Sequence, residues 1–166
     1  MAEIKIRNAK DLENVLKFVA KNALEDTGKK TTKLVKDRID KDVYGKFEPS
    51  EYIRTYELRE SVTPSDVEDK GNSIEISIEH DFDKIGSYPP NQHYTVGKKY
   101  AERYGTDSSK YVPWYVHDGE SGDIFGSEGE WMEPRPYMDN AKDDMKNGKF
   151  KEFMEESLNE KGIKTE

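Results

Sequence analysis

The stretch Ile4-Lys5-Ile6-Arg7-Asn8-Ala9-Lys10-Asp11-Leu12-Glu13-Asn14-Val15-Leu16-Lys17-Phe18-Val19 changes its hydrophobic period at Asn8. Before it, Ile4 and Ile6 alternate with Glu3, Lys5 and Arg7, the period-two signature of a short strand with one buried face. After it, Leu12, Val15, Leu16, Val19, Ala23 and Leu24 recur at three- and four-residue spacing, and Leu34, Val35, Ile39 and Val43 resume the stripe. Asn8 suits the cap between the two regimes, because its side chain can accept from an early helical N–H. The spacing predicts a long helix within Asn8 to Tyr44, with a kink or a helical hairpin at Gly28, where glycine costs about 1 kcal/mol relative to alanine.

Beyond that helix, Gly45 and Pro49 stop the pattern. Tyr52 to Val62 fits a helical turn or an irregular strand equally well. Ile74, Ile76 and Ile78 alternate with Glu75, Ser77 and Glu79, which predicts a strand over Ser73 to His80. Tyr111-Val112-Pro113-Trp114-Tyr115-Val116-His117 is rich in β-branched and aromatic residues and reads as a strand, an edge one because of Pro113. A loop punctuated by Gly119, Gly122, Gly126 and Gly129 follows. Pro134 and Pro136 then hold the chain extended around Arg135, and Pro136 suits the first position of a helix opening at Tyr137. Met145, Phe150, Phe153, Met154 and Leu158 mark further helical faces, interrupted at Asn147-Gly148.

These elements predict an α+β fold: a long N-terminal helix packed on a small, mainly antiparallel sheet, with long loops and a C-terminal helix. At 166 residues, a single domain over 1–166 is expected. Residues 81–110, broken by Gly86, Pro89, Pro90, Gly97 and Gly105, and residues 119–129 are expected to be mobile loops. A short helix over Val96 to Tyr104 is expected inside the first of these, and a frayed tail at 161–166.

Composition narrows the function. The chain has 27 basic and 35 acidic residues, a net charge of −8 and a mean hydropathy of −1.05. An acidic protein repels duplex phosphates, so sequence-reading of DNA is disfavoured. No cysteine is present, which removes disulfides, thiolate nucleophiles and Cys-ligated zinc. The first residues lack a secretory h-region and no window has about 18 consecutive apolar residues, so a soluble, cytoplasmically made protein without a membrane partner is expected.

Catalytic and cofactor signatures are missing from the sequence. His80, His93 and His117 are too scattered for ligand spacing, so surface or hydrogen-bonded histidines are expected and no metal. The acidic stretch His117 to Asp123 misses the D-x-[DN]-x-[DN]-G register of a calcium loop and reads as a solvated turn. No phosphate-cradling glycine motif and no G-x-S-x-G elbow occurs. No catalytic residue and no cofactor are expected, and the chain reads as a non-enzyme.

The order of motifs resembles the tail-component, or head–tail joining, family of long-tailed bacteriophages. The first motif, R-T-x-x-L-x-x-S, is carried by Arg54, Thr55, Leu58 and Ser61; the family has glycine after its R-T pair, where this chain has Tyr56. The second is a Tyr-rich strand running into a glycine loop, with Tyr111, Trp114, Tyr115, Val116 and Gly119. The third, a P-R-P-aromatic turn opening a helix, has Arg135, Pro136, Tyr137, Met138 and Ala141. The resemblance implies a virion part of tail-terminator or head-closure type, assembled in the host cytoplasm. It implies a homo-oligomeric ring, six- or twelve-fold, between head connector and tail-tube proteins. DNA would pass through without sequence-specific binding, and the motif residues would lie at or near subunit interfaces. A reading from another class is a small bacterial ligand- or peptide-binding module, or an enzyme, whose groove uses Tyr88, Tyr94 and Trp114.

Overall fold

A computed structural model describes residues 6–46, 56–85, 112–121 and 130–165. The fold is α+β and mostly helical, with a long N-terminal helix, two-stranded antiparallel sheets and a C-terminal helix. Helix α1, Ala9–Arg38, continues into a π-helical turn, Ile39–Val43, and a 3-10 turn, Tyr44–Lys46. Asn8 caps it, its Oδ1 accepting from the Asp11 N–H at 2.9 Å. Gly28 lies inside this one helix, so the hairpin alternative does not form.

A short helix α2, Glu57–Glu60, leads into β1, Val62–Pro64, and β2, Glu68–Asp69; β3, Ile74–Glu75, and β4, Ile78–His80, return. β2 pairs antiparallel with β3, and β1 neighbours β4. The strand expected over Ser73 to His80 is thus two short strands, although side-chain burial alternates without a break from Ile74 to His80. Where the ladder lapses, Ser65 and Ser77 bridge it: Ser65 N–H donates to the Ser77 carbonyl at 2.8 Å and Ser77 N–H to Ser65 Oγ at 2.9 Å.

Helix α3, Val112–Asp118, replaces the edge strand expected over Tyr111 to His117. Pro113 accounts for the difference, because in the first helical turn its missing N–H would have no intrahelical partner and its fixed φ is already helical. β5, Glu120–Ser121, pairs antiparallel with β6, Glu130–Met132. Helix α4, Tyr137–Asp144, starts directly after Pro136, and the chain kinks within Met145–Lys149 before α5, Phe150–Glu160. The expected interruption falls at Gly148, whose φ of +118° is open to glycine. α5 ends on a Schellman turn: Ile163 N–H donates to the Leu158 carbonyl and Gly162 N–H, at φ +81°, to that of Asn159. Ile4 and Lys5 of the first expected strand, the expected helix at Val96 to Tyr104 and most of both expected loops lie outside the described residues. Ile6 and Arg7 are described and are not in a strand.

The chain forms two compact units, one of Met1–Thr32, Pro64–Ile78 and Asp144–Glu166, the other of Lys33–Thr63 and Glu79–Asp143. In the first, α1 packs on α5 through small polar side chains. Thr27 and Ser157 are fully buried with their hydroxyls 3.4 Å apart, and Thr27 Oγ1 donates to Met154 Sδ at 3.1 Å. Lys30 pairs with Glu156 and Lys161 with Asp26 around this contact. On the sheet side, Gly28 is buried, and a Cβ there would overlap the side chain of Ile76, so the glycine permits close approach of the helix to the link between β3 and β4.

The apolar stripe of α1 is uncovered at its start: Leu12 and Leu16 are exposed, and no residue from 6 to 22 is buried. The second unit holds the apolar core: Val35, Ile39, Val43, Leu58, Val62, Ile85, Tyr137 and Ala141.

Candidate functional site

Polar side chains with chemical capacity gather inside the second unit, around Tyr137. The P-R-P turn places that residue: Arg135 N–H donates to the carbonyls of Val116 and His117, both at 3.1 Å, and Asn140 N–H to that of Pro136 at 2.9 Å. The chain is thereby tied to α3 just before α4 begins, and Tyr137 enters the core at 1% exposure.

Its phenol meets His80. Tyr137 Oη is 2.9 Å from His80 Nε2, and His80 Nδ1 is 2.7 Å from Ser61 Oγ. Ser61 is fully buried and donates to the Leu58 carbonyl at 2.8 Å. That last bond sets the direction of the others: with its proton on Leu58, Ser61 accepts from the Nδ1–H of His80, and Nε2 accepts from Tyr137. A single neutral tautomer satisfies every member. Burial pushes the His80 imidazole down to about 4, which keeps it neutral, and burial likewise raises the Tyr137 phenol.

His117 completes the group. Its ring stands edge-on to Tyr137, 5.7 Å between centroids at 80°, as does that of His80, at 5.9 Å and 85°. His117 Nδ1 is 2.7 Å from Asp118 Oδ1, and its buried Nε2 lies 3.5 Å from Asp139 Oδ2 without a hydrogen-bond partner among the described residues. Among the described residues, no three His, Asp or Glu side chains are placed to hold a metal ion. A serine–histidine pair at 2.7 Å has the composition of a nucleophile and its base, yet Ser61 has no surface open to a substrate and its proton is held by Leu58. The cluster acts as a hydrogen-bonded clamp joining the end of α2, strand β4 and the start of α4.

Leu58, Ser61, Tyr137 and Ala141 are buried together in this unit, from two motifs far apart in sequence. Trp114 is 63% exposed on α3, Gly119 follows that helix at φ +72°, and Pro136 is half-buried. Arg135 reaches its own chain, Nη1 donating to the Val43 carbonyl at 3.4 Å. Tyr115 lies within α3, while Arg54, Thr55 and Tyr111 lie outside the described residues, as do Tyr88 and Tyr94 of the other reading.

Tyr56, where the resembling family has glycine, adopts the left-handed conformation at φ 59°, ψ 12°, directly before α2. Its ring lies edge-on to Tyr44, 5.0 Å away. His80 carries the clearest signal that spacing arguments passed over. It shares the parity of Ile74, Ile76 and Ile78, and a polar residue on the apolar face of a strand requires a buried partner.

Residues 8–160 of the chain match the YomN family model. No curated protein and no solved structure matches it.

Proposed function

Because this chain belongs to the YomN family, a phage-associated family named after a gene of Bacillus phage SPBc2, we propose that it is a structural, non-enzymatic subunit of the virion. It forms a homo-oligomeric ring at the neck or tail end, between head connector and tail tube, of tail-terminator or head-closure type. The observation that carries this reading is that Leu58, Ser61, Tyr137 and Ala141 are all buried in one unit, with Ser61 and Tyr137 joined through His80. The first and third motifs of the joining-protein pattern act together as a fold signature. The groups in them with reactive potential, Ser61 and Tyr137, are each engaged with His80.

Charge supports the same reading. At −8, the subunit suits a channel that lets DNA pass without gripping its phosphates. The experiment is electron microscopy of the purified protein together with particles from a phage lacking it. Rings, and full heads separated from tails, are the expected result. Joined, infective particles without the protein overturn the reading, and a monomer stabilised by a sugar or peptide in thermal melting favours a binding module instead.

A further inference from the structure

The first four turns of α1 have an apolar stripe that is half-buried at Val15 and Val19 and exposed at Leu12 and Leu16, with no fully buried residue. Leu12, Val15, Leu16 and Val19 stand at i, i+3, i+4 and i+7, one face of a helix. Leu12 and Leu16 are 44% and 56% exposed, and Phe18, on the flank, 64%. The first buried residue of α1 is Ala23, and its ion pairs and hydrogen bonds to α5 begin at Asp26. A helical segment this short is marginal in water without packing, so a partner that covers it also stabilises it.

Charge indicates which partner. Residues 6–22 carry Arg7, Lys10, Lys17 and Lys21 against Asp11 and Glu13, a local balance of +2 within a chain of −8, which leaves −10 on the remainder. We propose that this arm docks on an acidic face of a second copy of the same chain. The inference rests on the ring reading above and names the surface that builds the ring. Two arms repel each other, so the contact runs from arm to body and not from arm to arm. Such a heterologous contact, repeated, closes a ring.

The face of a 14-residue helix is a strip about 21 Å long and about 11 Å wide, or about 230 Å². A ring subunit gives one arm and receives another, so each buries this contact twice, about 460 Å² against the roughly 800 Å² per partner of a standard interface, and the bodies of the subunits supply the rest.

The test is sedimentation velocity of the full chain, with far-UV circular dichroism to follow the fold. The double variant Leu12→Asp/Leu16→Asp is expected to weaken self-association about ten-fold or more. Lys10→Glu/Lys21→Glu, which leaves the stripe intact and changes only exposed side chains, is expected to weaken it as well, as is added salt. Both variants assembling like the wild type overturns the docking arm and leaves the ring reading standing. A wild type that stays monomeric overturns both. A monomer whose arm instead binds anionic lipid vesicles also overturns the proposal, because the basic apolar face then serves a membrane.

Discussion

His80 Nε2 lies 2.9 Å from the phenolic oxygen of Tyr137, with the two rings edge-on. The imidazole must stay neutral to accept that proton, which makes stability depend on pH. In the unfolded chain the imidazole titrates near 6.5 and in the fold near 4. The unfolded state therefore takes up its proton first as pH falls. The contribution is complete above about 6.5, is lost between about 6.5 and 4, and changes no further below that. Its size is on the order of 2–3 kcal/mol after discounting for partial exposure. Urea denaturation from pH 7.5 to 4 is expected to show this slope, and His80→Asn is expected to flatten it.

Ser61 and Tyr137 act through the same imidazole, so their deletions are not independent. Ser61→Ala removes the partner of Nδ1, Tyr137→Phe that of Nε2, and each leaves a buried polar atom unpaired at about 1–3 kcal/mol. The double variant is expected to lose less than the sum, with a coupling of roughly 0.5–2 kcal/mol. Additivity in a denaturation cycle means the three groups do not form one network.

Gly28 is held in α1 by lack of space. Gly28→Val is expected to lower stability by about 1–3 kcal/mol, because the new side chain meets Ile76 on a closely packed face. A thermal melt unchanged or raised by the substitution would show that the Ile76 side chain can yield.

At Tyr56 two effects oppose each other. The left-handed backbone costs a non-glycine residue roughly 1–3 kcal/mol, and the edge-on contact with Tyr44 returns about 0.5–1.5 kcal/mol. Tyr56→Gly is expected to stay within about 1 kcal/mol of the wild type. Tyr56→Val, which keeps the strain and loses the ring, is expected to fall about 2 kcal/mol below it.

Among the described residues, the Arg135 side chain makes one hydrogen bond, 3.4 Å to the Val43 carbonyl, while its backbone N–H ties the turn to α3. Arg135→Ala is expected to cost the isolated subunit less than about 1 kcal/mol. Loss of ring assembly at that small cost assigns the guanidinium to a contact between subunits; an unfolded monomer assigns it to the subunit's own core.

Local signals were readable where the determinant was local. The Asn8 cap, the continuation of α1 to Tyr44, the alternation from Ile74 to His80 and the break at Gly148 all follow from neighbouring residues. Tyr111 to His117 misled because aromatic and β-branched content favours a strand, while the position of Pro113 in a first turn outweighed it. The stripe from Leu12 to Val19 gave the helix correctly but not its burial, because periodicity says which face is apolar and nothing about what covers it. The Ser61–His80–Tyr137 clamp joins residues 19 and 57 positions apart. Only the parity of His80 and the recurrence of Ser61 and Tyr137 in motifs pointed to it.

The Thr27–Ser157 contact closes over 130 positions. At about 5–20 residues per second on the ribosome, roughly 7–26 s pass between the making of those two residues. Through that interval the nascent helix displays its Thr27 and Lys30 side with no α5 to cover it. This unit therefore matures only after its last helix emerges, and the waiting helix is open to chaperones in the meantime.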